Sequence, residues 1–310
     1  MLVLVAPGQG SQKPGLLTPW LELPGVTDRI AEWSAAIGMD LVHYGTEADA
    51  DDIRDTAVAQ PLLVAASLIS ADALLEGRDP ARQFGAVAGH SVGELAAASI
   101  AGVLSPMDAM TLVRARGRAM AEAAAVTDTG MSAVMGGEQE AVTAHLKGLG
   151  LTAANINGAG QIVAAGTAEQ LAALTADKPE KARVVPLKVA GAFHTEHMAP
   201  AVDVLAAAVE DAEVHDPTLP YISNLDGTAV AEGRQVVQRL VNQISASVRW
   251  DLCMEAFQQL GVTALIEVCP GGTLTGLAKR ALPGVRTLAL KTPDDLDAAR
   301  ELIAEHAQTA

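Results

Sequence analysis

Gly89-His90-Ser91-Val92-Gly93-Glu94 decides the reading of this chain, because the residue pattern changes across it. Ahead of it, Phe84-Gly85-Ala86-Val87-Ala88 is a short apolar run of the kind that makes a buried strand. Behind it, Leu95-Ala96-Ala97-Ala98-Ser99-Ile100-Ala101 favours helix, with Gly102 as a stop. A serine on such a strand-to-helix turn is held with its hydroxyl clear of the sheet, and glycines two positions to either side let the turn close. The helix N-terminus points N–H groups toward any oxyanion formed at that serine. In a chain rich in alanine and glycine the five-residue pattern alone says little. Its place between strand and helix makes Ser91 the candidate nucleophile.

The composition narrows the setting. A chain of 310 residues buries a sizeable core and suggests one large domain carrying a smaller one. Half of the residues (50%) are hydrophobic but only 3% are aromatic, so Ala, Val and Leu must build the core, which suits helices packed closely on a parallel sheet. The net charge of −16 argues against nucleic acid as a partner, since phosphate binding needs a dense basic footprint. Met1-Leu2-Val3-Leu4-Val5-Ala6-Pro7 is too short for a signal sequence, and no stretch is expected to be long enough for a transmembrane span, so a cytoplasmic protein without a membrane partner is expected. Cys253 and Cys269 read as two buried thiols, and the seven histidines show no ligand pairing, so neither a catalytic metal nor a cofactor is expected.

Leu2-Val3-Leu4-Val5 reads as a first buried strand, with Pro7-Gly8-Gln9-Gly10-Ser11-Gln12 at its carboxyl end, where open α/β sheets bind ligands. That turn can form a nest of backbone N–H groups, and Gln9 is best placed to donate one to an oxyanion. Gln60-Pro61 opens a long apolar helix, with proline expected in its first turn. Ser105-Pro106 caps another, running to about Ala125 and carrying Arg114, Arg116 and Arg118, whose spacing puts them on different faces so that only one need face the site.

From Gly130 the pattern becomes strand (Met131–Met135), helix (Gln139–Leu149), strand (Leu151–Asn155), strand (Gln161–Ala165), helix (Thr167–Leu174) and strand (Arg183–Leu187). This βαββαβ order is the ferredoxin-like unit, read as a small domain of residues 127–189 inserted into a large domain of residues 1–126 and 190–310. The large domain resumes at Gly191-Ala192-Phe193-His194, where a histidine just ahead of a helix can meet Ser91 in space. Thr263–Val268 is a further strand, ending in Cys269-Pro270-Gly271-Gly272, and the helix beyond carries Lys279 and Arg280.

These motifs together, namely Pro7–Gln12, Gly89–Glu94, Arg116 in Arg-Ala-Arg-Gly-Arg, Gly191–His194 and Glu267–Gly272, resemble the malonyl-CoA:acyl-carrier-protein transacylase family, in the family's order and over essentially the whole chain. The resemblance implies an α/β-hydrolase-like large domain with a ferredoxin-like insert. It implies malonyl transfer from malonyl-CoA to the phosphopantetheine thiol of an acyl carrier protein, for fatty acid or polyketide synthesis. By position, Ser91 matches the nucleophile, His194 the base, Arg116 the ligand of the malonyl carboxylate, and Gln9 and Val92 the oxyanion donors. Asn155 or Asn157 resembles a residue near the cleft floor, and Ala-Phe-His at Phe193 looks like the malonyl-selective form of that segment. Ser247-Val248-Arg249-Trp250 aligns with the segment whose main-chain carbonyl orients the histidine in relatives, many of which carry glutamine where this chain has Arg249.

The chemistry suits that assignment. A thioester needs a serine deprotonated by an imidazole, a hole for the tetrahedral oxyanion and a cation for the malonyl carboxylate. Arginine pairs bidentately with a carboxylate where lysine offers a point charge. No acidic third member is evident, so a main-chain carbonyl is expected to fix the histidine tautomer. The rival is a serine esterase or thioesterase, which uses the same elbow, but a hydrolase of neutral esters has no reason to bury Arg116. A monomer is expected.

Overall fold

The computed structural model describes residues 1–307. The first part of the chain comprises β1 (Leu2–Ala6), α1 (Val26–Ile37), α2 (Leu41–Thr46), α3 (Thr56–Leu75), β2 (Ala86–Gly89), α4 (Gly93–Ile100) and α5 (Pro106–Ala124). Next come β3 (Thr129–Gly136), α6 (Gln139–Gly148), β4 (Thr152–Gly158), β5 (Gln161–Thr167), α7 (Ala168–Ala176) and β6 (Ala182–Pro186). The remainder holds α8 (Ala199–Val209), β7 (Tyr221–Ile222), β8 (Ala229–Val230), α9 (Gly233–Gln243), β9 (Val248–Arg249), α10 (Trp250–Gln259), β10 (Ala264–Glu267), α11 (Thr273–Ala281), β11 (Arg286–Ala289) and α12 (Leu296–Ala307).

Two sheets result. The larger runs β11-β10-β1-β2-β7-β8, parallel throughout except for the β7–β8 pair. Its centre is buried on both faces, which is why β1 and β2 read as unbroken apolar runs. Alternation along β1 splits the core: Leu2, Leu4 and Ala6 face α3, α4 and α5, whereas Val3 and Val5 face Trp250, Phe257 and Leu277 of α10 and α11. The registers Val5↔Ala88 and Ala6↔Gly89 bring the ends of β1 and β2 level, so the Gln9 turn and the Ser91 turn emerge side by side.

The smaller sheet runs β6-β3-β5-β4-β9. Its first four strands follow the ferredoxin-like order and are antiparallel, with Val142 and Leu146 of α6 and Leu174 of α7 packed on Val134, Ile156 and Ile162. The fifth strand is borrowed: β9, from beyond the return of the chain to the larger sheet, pairs in parallel with β4 through Asn155↔Val248 and Ile156↔Arg249.

Two expectations for α3 need correction. The helix begins at Thr56, its N-terminus capped by the Asp55 carboxylate on the Ala57 N–H, so Pro61 lies in its second turn. Proline has no N–H to offer the Ala57 carbonyl, and Arg114 Nη1–H donates to that oxygen instead, at 2.9 Å. α3 also has the length and composition of a membrane span, 20 residues with an 18-residue window at a mean hydropathy of 1.7, yet 89% of that window is buried inside the protein. It is apolar all round because it packs on all sides, against α4, α5 and α12.

Candidate active site

The elbow forms because two glycines permit it. A Cβ on Gly89 would lie 2.0 Å from the Gly93 carbonyl carbon, and one on Gly93 would lie 2.3 Å from the Ala6 carbonyl oxygen. Between them Ser91 takes a left-handed backbone, φ 51°, and the Asn224 side chain fixes that strained turn at both ends. Its Oδ1 accepts from the Ser91 N–H at 2.8 Å, and its Nδ2–H donates to the Gly89 carbonyl at 2.7 Å.

His194 also has a left-handed backbone, φ 62°, and is 4% exposed. Its Nε2 lies 2.8 Å from Ser91 Oγ. Its Nδ1–H donates to the Gln243 carbonyl at 2.8 Å, which leaves the lone pair on Nε2 facing the hydroxyl. The carbonyl that orients the histidine is thus at the end of α9, not in the segment 247–250 expected from the alignment; Arg249 instead pairs with Asp251, and Val248 enters the smaller sheet. Burial, reinforced by the Arg116 charge, pushes the imidazole down to about 3, so it is neutral at physiological pH.

Arg116 is 2% exposed and reaches the same point from α5. Its Nη2 is 3.4 Å from Ser91 Oγ, while Gln60 Oε1 accepts from Nη1 at 2.6 Å and Gln243 Oε1 from Nη2 at 3.0 Å. Burial lowers the guanidinium to about 10, and it stays charged at neutral pH. Every group that touches it directly is neutral, so a buried cation beside the serine awaits an anion. Arg114 turns away to the Ala57 carbonyl, and Arg118 is exposed.

Ser91, His194 and Gln60 line a cleft of about 170 Å³, with Arg116 set behind Ser91 Oγ. Gln9 and Val92 line it, and among the described residues neither of their backbone N–H groups donates to a protein acceptor. The Gln9 side chain is tied back to Thr56 Oγ1 at 3.1 Å. Phe193 lines the cleft next to the histidine. Asn155 and Asn157 enter from β4, where the pairing with β5 slips register on either side of Asn155 and Ile156. Asn157 Oδ1 accepts from His90 Nε2–H at 2.8 Å, which ties the smaller sheet to the elbow.

The structure therefore brings Ser91, His194, Gln9, Val92, Phe193, Asn155 and Asn157 to one cleft and sets Arg116 against Ser91 Oγ. Sequence reasoning missed Gln60, Gln243, Asn224 and the carboxylate of Glu94. Glu94 stood in plain view at the end of the elbow motif; the other three act from helices and loops with no motif of their own.

Chemically, a neutral imidazole, a strained serine and unpaired N–H groups define the class of enzymes that pass acyl groups through a serine ester. The chain belongs to the acyl transferase domain family, whose model matches residues 3–294. Among its relatives, the malonyl CoA-acyl carrier protein transacylase of Mycobacterium tuberculosis is 51% identical over 302 residues, 96% of this chain and 98% of that one. A crystal structure of MCAT from Mycobacterium tuberculosis superposes with a TM-score of 0.93 at 50% identity, covering 97% of this chain and 99% of that one. A type II PKS acyl-carrier protein in complex with its malonyl-transacylase, PlMCAT:AntF, includes a chain that matches at TM-score 0.89 and 32% identity, over 97% and 99% of the two chains.

Proposed function

We propose that this chain is a malonyl-CoA:acyl-carrier-protein S-malonyltransferase and that the uncompensated Arg116 beside Ser91 is the observation that carries the substrate. The malonyl carboxylate docks on the guanidinium, placing the thioester carbonyl against Ser91 with its oxygen toward the N–H groups of Gln9 and Val92. His194 Nε2 takes the Ser91 proton as Oγ bonds to the carbonyl carbon. The tetrahedral intermediate collapses by breaking the C–S bond, and the same nitrogen returns the proton to the coenzyme A sulfur. The carrier protein's phosphopantetheine thiol then runs these steps in reverse: it gives its proton to His194, attacks the seryl ester and leaves as the malonyl thioester. The cycle needs no cofactor.

Phe193 restricts room for a branch at the α-carbon, and Asn155 and Asn157 face the acyl chain from the floor. The reading includes a monomeric, cytoplasmic catalyst that uses neither nucleic acid nor membrane.

Mass spectrometry of the intact protein after exposure to malonyl-CoA tests the assignment. The parent chain should gain one malonyl group and lose it when carrier protein is added. Ser91→Ala should gain none, and His194→Ala should acylate roughly 100-fold more slowly. Malonylation that persists without Ser91 would defeat the reading.

A further inference from the structure

Glu94 is 1% exposed and takes no part in the steps above, yet it stands one side chain away from the substrate-binding cation. It follows Gly93 in the first turn of α4, where a carboxylate suits the helix dipole. Oε1 accepts from the Asn224 N–H at 2.7 Å, and Oε2 accepts from Gln243 Nε2–H at 2.5 Å. The other end of the same Gln243 amide accepts from Arg116. One amide therefore bridges a buried carboxylate and a buried guanidinium that do not touch.

An amide has a donor end and an acceptor end, so the sense in which it lies is set by its neighbours. Arg116 can only donate, which demands the oxygen of Gln243; Glu94 accepts at the other end, with Asn224 Oδ1 a longer second acceptor at 3.3 Å, which demands the nitrogen. Gln243 is also the residue whose main-chain carbonyl holds His194.

We propose that Glu94 is a positioning residue for donor selection: acting through the Gln243 amide, it aims Arg116 from one residue's remove, leaving the guanidinium free for the carboxylate of an acyl group. A carboxylate placed directly on Arg116 would occupy the place the substrate needs. This inference rests on the malonyl-transfer reading.

The test compares malonyl-CoA with acetyl-CoA, which lacks the carboxylate, as acyl donors to Ser91. In Glu94→Gln one carboxylate oxygen becomes an NH₂ group. With the Asn224 N–H still claiming the remaining oxygen, that NH₂ sets a donor against Gln243 Nε2 and displaces or turns its amide, so that Arg116 loses its aim. The expected result is a rise of about tenfold in KM for malonyl-CoA, with the acetyl reaction changed less than about twofold. The double exchange Glu94→Gln with Gln243→Glu restores the match of donors and acceptors between positions 94, 243 and Arg116 at unchanged net charge, but it loses the Gln243 Nε2–H donation to Asn224 Oδ1 at 3.3 Å and puts the carboxylate on Arg116. It should regain part of the melting temperature lost in Glu94→Gln and still discriminate poorly for malonyl-CoA. Equal losses with both donors, or a double exchange with the parent's malonyl preference, would overturn the inference. A parent chain that is not malonylated would instead refute the function on which it rests.

Discussion

At the scale of single residues, the site combines groups whose surroundings push them in useful directions. Burial and the neighbouring Arg116 hold the His194 imidazole neutral down to about pH 3. An ordinary histidine would take up a proton near pH 6.5 and cease to act as a base. Acylation of Ser91 by malonyl-CoA, followed in a single turnover, should therefore show no inflection near pH 6.5 on acidification. Stability moves in the opposite sense. The unfolded chain binds a proton at this histidine from about pH 6.5 downward, and the folded chain does not until about pH 3. Over that window the unfolded state holds more protons, so this residue's contribution lowers the melting temperature as pH falls, and His194→Gln should flatten that part of the curve. Ser91 and His194 are legible in the sequence because their chemistry resides in their side chains. The tether on His194 is not, because a main-chain carbonyl at Gln243 leaves no mark in residue type, and alignment placed it several residues too late.

At the scale of elements, the walls of the cleft depend on helix ends. α11 contributes Thr273, Leu274 and Leu277 to the cleft, and its first turn is held from inside by Glu267 at the end of β10. That carboxylate, fully buried, accepts from the N–H groups of Gly272, Leu274 and Thr275 at 2.8, 2.9 and 2.8 Å. Glu267→Ala leaves three donors with no protein acceptor and should destabilise the fold by roughly 3 kcal/mol or more, read as a lower urea midpoint. Malonylation of Ser91 should weaken with it as the wall loosens. The long elements were readable because their apolar periods are long, whereas β7, β8 and β9 are two residues each, too short for any period to show. The misplaced start of α3 has a similar cause: Pro61 suggested a first turn, whereas the cap is Asp55 and the missing N–H is made good by Arg114 from another helix.

For the whole molecule, a net charge of −16 sets a condition on any acidic carrier protein. Long-range repulsion must yield to a local basic field within a Debye length of about 8 Å at physiological salt. Lys279 and Arg280 are exposed in the last turn of α11, whose first turn lines the cleft, and Lys188 with Arg54 lines a second hollow on the far side of Gln9. Reversing Lys279 and Arg280 to Glu should raise KM for the carrier protein and leave malonylation by malonyl-CoA unchanged; equal loss in both half-reactions would rule out a docking role. The borrowed strand β9 bears on how such enzymes are to be recombined. A graft of residues 127–189 from a relative would bring β4 without the strand it was shaped to meet, and would also lose the contact of Gln139 with Asp251 at 3.0 Å. Because β9 begins five positions after Gln243, a mismatched seam there would disturb the histidine tether as well. The exchangeable cassette is therefore discontinuous: a chimera meant to inherit a new acyl preference has to carry residues 243–251 along with the insert.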